Sequence, residues 1–188
     1  MDNHLTQDLY VCHTIYMPYI IAGLGNPGIE YEGTRHNTGR EVLMSLLKSL
    51  GGDEFVFDKK INALTSEIKV GKEKALLIAP DTFMNKSGNA ISKVVKSIKS
   101  AEKLIVIYDD FNLPLGTLRI SFNRSSGGHN GLESVIKGVK TTAFIRIRIG
   151  VSPANAKGIA KAPHGDDKIE KFILGKYKEG EIKELKKV

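Results

Sequence analysis

Apolar residues fall along this chain in blocks of two kinds. Tyr19-Ile20-Ile21-Ala22 and Leu104-Ile105-Val106-Ile107-Tyr108 are continuous and rich in β-branched residues, the pattern of buried strands. Ala63–Val70, Ala75–Ala79, Thr117–Phe122 and Phe144–Val151 also read as strands, with Gly71-Lys72 as a tight turn between the first two. The second kind has helical spacing. Val42, Leu43, Leu46, Leu47 and Leu50 share one face of a helix that starts near Thr38 and is closed by Gly51-Gly52. Ala90, Ile91, Val94, Val95 and Ile98 predict a helix from an N-cap at Ser87 to about Ile98. A further helix opens near Gly131 and runs to about Val139, and the end, Asp166 to Val188, reads as a helix, a Gly-Lys-Tyr break and a short charged tail.

This alternation predicts an α/β fold. Leu104–Tyr108 is expected to stop at Asp109-Asp110, with Asn112-Leu113-Pro114-Leu115-Gly116 turning the chain into the next strand. Arg146 and Arg148 should share one face of their strand, with Ile145, Ile147 and Ile149 on the other. Loops with Asn26 and His36, with Asn85, and with Asp109 follow strand ends, and a fourth, with His129 and Asn130, follows a strand of uncertain direction. If the central strands are parallel, the first three loops meet at one edge of the sheet, where such folds place their chemistry.

Gly23, Gly25 and Gly28 satisfy the dinucleotide fingerprint G-x-G-x-x-G. That fingerprint needs a helix opening on the third glycine and an acid about twenty residues on, at the end of the next strand. Here Asn26-Pro27-Gly28 reads as a turn and Gly33 interrupts the stretch after it, while Asp58, after Phe55-Val56-Phe57, comes late. A nicotinamide-dependent oxidoreductase therefore rests on the hexapeptide alone.

At 188 residues, with 41% hydrophobic and 26% charged residues, the chain reads as one soluble globular domain over 19–188. A net charge of +7 is compatible with a polyanionic partner and equally with a lysine-rich solvated surface. The single Cys12 favours a reducing cytoplasm. Residues 1–18 read as an appendage: they lack the basic start of a signal peptide, and a start assigned ahead of Met17 would account for them. No stretch has the length of a membrane span.

The candidate chemistry is that of a general base. His36 can take a proton from water near neutral pH, and Asp109, at the end of a buried strand, suits the carboxylate that orients it. Taken singly, each has a plainer reading, His36 as a loop histidine bonded to backbone and Asp109 as a strand-end acid. No serine lies in a G-x-S-x-G elbow and the one cysteine is in the appendage, so water is the simplest nucleophile. The carboxamides of Asn26, Asn85 and Asn130 can donate to a carbonyl or oxyanion, or merely close Asx-turns. The five histidines show no metal-ligand spacing. Gly127-Gly128 permits close approach of a phosphate or a plain helix entry, and Arg119, Arg124, Arg146 and Arg148 fit phosphate contacts or a solvated sheet edge.

Five ordered motifs carry a resemblance. Gly23-Leu24-Gly25-Asn26-Pro27-Gly28 with Tyr31 and Thr34-Arg35-His36-Asn37 resembles the opening signature of bacterial-type peptidyl-tRNA hydrolases. Thr82 to Gly88 resembles their second motif, Asp109-Asp110 with Leu113-Pro114-Leu115-Gly116 the third, Gly127-Gly128-His129-Asn130-Gly131 the fourth and Arg146 to Gly150 the fifth. The resemblance implies a three-layer α/β/α sandwich around a twisted mixed sheet, working as a monomer without metal or other cofactor. It implies hydrolysis of the ester between peptide and tRNA. His36 would be the base, Asp109 its orienting carboxylate, and Asn26 would help tell blocked from free aminoacyl ends. Tyr31, Phe83, Met84, Asn85, Gly127 and Asn130 would line the substrate groove, and Arg148 would help hold the tRNA 5′-phosphate. Three departures stand out. Ser121 occupies a position usually basic in that phosphate clamp, for which Arg119 or Arg124 could substitute; Asn112 replaces a usual acid; and the C-terminal helix after Phe172-Ile173-Leu174-Gly175 is short or missing. A non-catalytic RNA-binding member of the same fold is the alternative, against which the intact His36 and Asp109 argue.

Overall fold

The computed structural model describes residues 18–187. The expected appendage before Pro18, with Cys12, and the final Val188 lie outside the described residues.

The runs with fewest polar residues form the parallel heart of a mixed sheet. Strand β1 (Tyr19–Gly23) lies between β4 (Glu73–Pro80) and β5 (Leu104–Pro114), parallel to both, and β7 (Ile145–Ser152) runs parallel on the far side of β5. Hairpin partners add antiparallel edges: β3 (Ala63–Val70) and β2 (Val56–Asp58) beyond β4, and β6 (Leu118–Phe122) beyond β7. The order of the seven strands is β2-β3-β4-β1-β5-β7-β6. Parallel strands need cover on both faces, and both have it. On one side Ile20, Ala22, Val106 and Tyr108 pack with Ile91, Leu132 and Val135 from α2 (Ser87–Ile91) and α4 (Asn130–Val139). On the other, Leu77, Ala79, Ile107 and Ile149 pack with Leu43 and Leu47 of α1 (Thr38–Ser49). These are the three layers expected.

Several expectations are refined. Gly51 (φ 63°) and Gly52 close α1 by a Schellman arrangement, their N–H groups donating to Lys48 O and Leu47 O at 3.2 and 3.1 Å. The helix expected from Ser87 to about Ile98 is broken. α2 ends at Ile91, the β-branched Val94-Val95 lie in a turn and the irregular stretch after it, and Ser97 starts α3 (Ile98–Ala101) through a capping box with Ser100. Ile98 consequently faces solvent, 63% exposed, instead of the core. β5 does not stop at Asp109-Asp110 but carries both inside the strand as far as Pro114, with a register shift against β7 beyond Asp110. The expected C-terminal tail is a helix, α6 (Glu179–Leu185), separated from α5 (Asp166–Ile173) by a break in which Lys176 bridges to Thr34.

The glycine hexapeptide serves packing. No helix opens on Gly28 (φ 104°); a 3-10 turn at Ile29–Tyr31 comes next, and α1 begins only at Thr38. Asp58 ends an antiparallel edge strand separated from β1 by β3 and β4. A side chain at Gly23 would strike the Gly39 carbonyl of α1, and one at Gly39 would strike the carbonyls of Ile107 and Leu24. The glycines therefore let α1 approach the strand ends. Gly39→Ala is expected to lower unfolding free energy by about 1–3 kcal/mol, the usual cost of overpacking, read from urea denaturation midpoints.

Candidate active site

Because β1, β4 and β5 are parallel, the loops after them open at one edge, and hydrogen bonds tie them together. Asn37 closes the first loop on itself: its Oδ1 accepts from Asn26 N–H at 2.8 Å and its Nδ2 donates to Asn26 O at 2.9 Å. Asn26 Oδ1 accepts the Met84 N–H at 2.7 Å, joining this loop to the one after β4. With its oxygen so used, the Asn26 Nδ2 makes no hydrogen bond to protein among the described residues and remains a free donor. A one-turn 3-10 segment, Arg35–Asn37, then carries His36 over Asp109 of β5.

Asp109, 2% exposed, receives imidazoles from two loops. His36 Nδ1 lies 3.0 and 3.1 Å from its two carboxylate oxygens, and His129 Nε2 lies 3.0 Å from Oδ1. The hydrogen-bond network assigns the tautomer of His129. Leu132 N–H donates to its Nδ1 at 3.2 Å as the cap of α4, so the proton sits on Nε2 and is donated to Asp109. Asp109 as a carboxylate can only accept, so His36 donates through Nδ1–H and keeps Nε2 for other chemistry. Burial alone would raise the Asp109 pKa, but the charges and hydrogen bonds of His36 and His129 outweigh it and hold the carboxyl well below the usual range. Burial alone would lower the His36 pKa; the charge and hydrogen bond of Asp109 together prevail and raise it above 6.5. The arrangement is thus an oriented imidazole with one free nitrogen.

His36, Asp109 and His129 are also the one group of metal-ligand type found among the described residues. With the tautomers assigned above, the histidine nitrogens that face Asp109 donate to it.

Residues 20–188 match the family model for peptidyl-tRNA hydrolase. The chain belongs to the peptidyl-tRNA hydrolase family. It is 45% identical over 166 residues to a peptidyl-tRNA hydrolase of Thermoanaerobacter sp. (strain X514), covering 88% of this chain and 83% of that one. It is 43% identical over 169 residues to one of Alkaliphilus metalliredigens (strain QYMF), covering 89% and 85%. The crystal structure of peptidyl-tRNA hydrolase from Acinetobacter baumannii superposes with a TM-score of 0.79 at 27% identity, covering 91% of this chain and 82% of that one.

The other residues singled out in the sequence lie in different surroundings. Tyr31 and Phe83 meet edge to face, ring centres 6.4 Å apart, beside the loop pair. Phe83 is 56% exposed, and Asn85, Asn130 and Gly127 are exposed or half-buried at the surface. Met84 is different: its side chain is buried in the core and only its backbone reaches the site, through Asn26. The arginines divide. Arg146, fully buried, donates to Thr142 O and Phe144 O at 3.2 and 3.1 Å and to Arg124 O, so it is neither a phosphate contact nor part of a solvated edge. Arg148 is held by Asp110 Oδ2, 2.7 Å from both Nε and Nη2, and with exposed Arg119 and Arg124 lines a cavity of about 420 Å³ that also touches His129. Ser121 Oγ lies buried on that wall without a hydrogen-bond partner among the described residues.

Sequence reasoning assigns His129 no role. The strand before it runs antiparallel, and its loop climbs back to the active edge, which no local pattern reveals. Its position just ahead of an amphipathic helix is the available signal, since a helix cap fixes one ring nitrogen and aims the other.

Asp109→Asn should reverse the His36 shift. With the charge removed, burial acts alone and NMR titration should place the His36 pKa below 6.5 instead of above it. Stability obeys the same logic. The raised His36 pKa contributes stability that is full below 6.5 and lost as pH rises through the raised value. The depressed Asp109 pKa contributes stability that is full above 3.8 and lost as pH falls through the depressed value. The contribution of the pair is therefore greatest between these limits, and the substitution should flatten it.

Proposed function

We propose that this chain hydrolyses the ester between peptide and tRNA in peptidyl-tRNA, with water as nucleophile and His36 as general base. The observation that carries the reading is the buried contact of His36 Nδ1 with Asp109, which leaves Nε2 to accept a proton. Nε2 takes a proton from water, and the oxygen adds to the ester carbonyl. The Asn26 amide, with its donor free, stabilises the charge that gathers on the carbonyl oxygen. Collapse of the tetrahedral species returns the proton from Nε2 to the departing ribose oxygen, giving a free peptide carboxyl and a free tRNA hydroxyl. Asp109 keeps the imidazole oriented and stabilises its cationic form throughout.

The substrate contacts of the reading lie along the same edge. The Tyr31–Phe83 pair offers an apolar surface beside the reacting centre, Asn85 and Asn130 offer exposed carboxamides, and Gly127 leaves room for close approach. Arg148, with Arg119 and Arg124 in place of the basic residue that Ser121 displaces, takes the tRNA 5′-phosphate and orients the acceptor arm. The enzyme works as a monomer in the cytoplasm without a metal. Among the described residues no helix is long and apolar enough to cross a membrane.

Release of N-acetyl-amino acid from N-acetyl-aminoacyl-tRNA tests the reading. The wild-type chain should cleave it, and His36→Ala should lower kcat by about 10²-fold or more. Arg148→Ala should raise KM for substrate bearing a 5′-phosphate and leave dephosphorylated substrate unaffected. Binding of the tRNA without cleavage by the wild-type chain would replace the hydrolase by an RNA-binding protein.

A further inference from the structure

We propose that the C-terminal segment positions the general base, with Glu181 and Tyr177 acting on His36 through the turn that carries it. The inference rests on the reading of His36 as the base. Arg35, the residue before His36, is 7% exposed and holds its guanidinium against the C-terminal segment. Its Nη2 donates to both carboxylate oxygens of Glu181 at 2.9 Å, and its Nη1 donates to Gly175 O and Lys176 O at 3.0 and 3.2 Å. The guanidinium carbon stands 4.5 Å from the Phe172 ring centre and 5.1 Å from that of Tyr177. Held in this way by α5, α6 and the break between them, this arginine has little left for a nucleic acid.

The other side of the turn is tied to the same segment. Thr38 Oγ donates to Arg35 O at 2.6 Å, so Tyr177, whose hydroxyl lies 2.7 Å from that Oγ, must be its donor. The backbone adds Arg35 N–H to Gly175 O at 3.1 Å and Tyr177 N–H to Gly33 O at 2.9 Å. His36 thus sits on a single turn whose two flanks are both held from far along the chain, Thr38 by Tyr177 at a separation of 139 residues and Arg35 by Glu181 at 146. Charged and titratable groups surround these contacts: Glu41 accepts the Gly33 N–H at 2.7 Å and, with Asp109 and Arg35, acts on Tyr177. Glu181 faces Arg35 and accepts the Lys178 N–H at 2.7 Å; His36 faces Asp109 and, with ring centres 4.9 Å apart, His129. Burial raises the Tyr177 pKa, which keeps its hydroxyl a neutral donor.

A turn released on either flank lets His36 drift from Asp109, and displacements of about 1 Å at reacting groups cost on the order of 10²-fold in rate. Glu181→Gln removes the charge that holds Arg35, and Tyr177→Phe removes only the hydroxyl that holds Thr38, so one of the two tests the idea even if the other disturbs folding. Glu179→Gln, on an exposed face of the same helix, serves as the control. Each full-length variant is assayed for kcat and KM on N-acetyl-aminoacyl-tRNA across pH, alongside its thermal melting curve. Expected are a kcat lower by about 10- to 100-fold with KM changed less than about twofold, and an acid limb of the kcat profile moved to lower pH, because burial then acts on His36 with less opposition from Asp109. Glu179→Gln should match wild type. Unchanged kcat with an unmoved limb overturns the inference, and so does a loss that tracks the folded fraction with the limb in place, which marks a structural role only. A wild-type chain that cleaves nothing removes the hydrolase reading, and this inference with it.

Discussion

The carboxylate of Asp109 is the fixed point of this molecule. A charge buried to 2% exposure is tolerated only if its lone pairs are satisfied, and here two imidazole N–H groups satisfy them. One imidazole comes from the loop after β1 and the other from the cap of α4, so the carboxylate fastens opposite layers of the sandwich to the sheet between them. The same bonds decide the chemistry. They commit one nitrogen of His36 to Asp109 and leave the other, Nε2, to a substrate or water.

Much of the remaining structure keeps that arrangement in place. β5 has to continue past Asp109 for the carboxylate to be held in a ladder rather than in a mobile loop, and its pairing with Ile149 of β7 does this. Gly23 and Gly39 let α1 approach closely enough for the preceding turn to reach over β5. Asn37 and Asn26 bind the loops of β1 and β4 into one wall by side chain-to-backbone bonds, which leaves the Asn26 amino group as the one uncommitted donor of the pair. The family membership of the chain and this geometry point to the same reaction class from independent directions.

The parts of this structure that are legible in the sequence are the local ones. Tyr19–Ala22, Ala63–Val70 and the Leu104–Tyr108 run announce themselves by apolar patterning, and the glycines closing α1 by their cap. His36 and Asp109 are legible as types of residue at strand ends. Their contact is not, because it joins positions 73 residues apart and depends on the parallel order of strands. Pattern alone makes β5 too short because Asp109-Asp110 looks like a strand stop; a buried strand carries acids only when distant partners, here two histidines and Arg148, neutralise them. Arg146 is hidden for the same reason: its partners are carbonyls that tertiary folding supplies. The break after Ile91 has a local signal in Val94-Val95 and Ser97, but the apolar period runs through it.

The central claim is that Asp109 fixes two histidines in opposite tautomers, and ¹⁵N chemical shifts of the two imidazoles above the His36 pKa test it most directly. The account predicts protonated Nδ1 with bare Nε2 for His36, and bare Nδ1 with protonated Nε2 for His129. A His36 ring protonated on Nε2 would contradict it, for that nitrogen could not then take a proton from water.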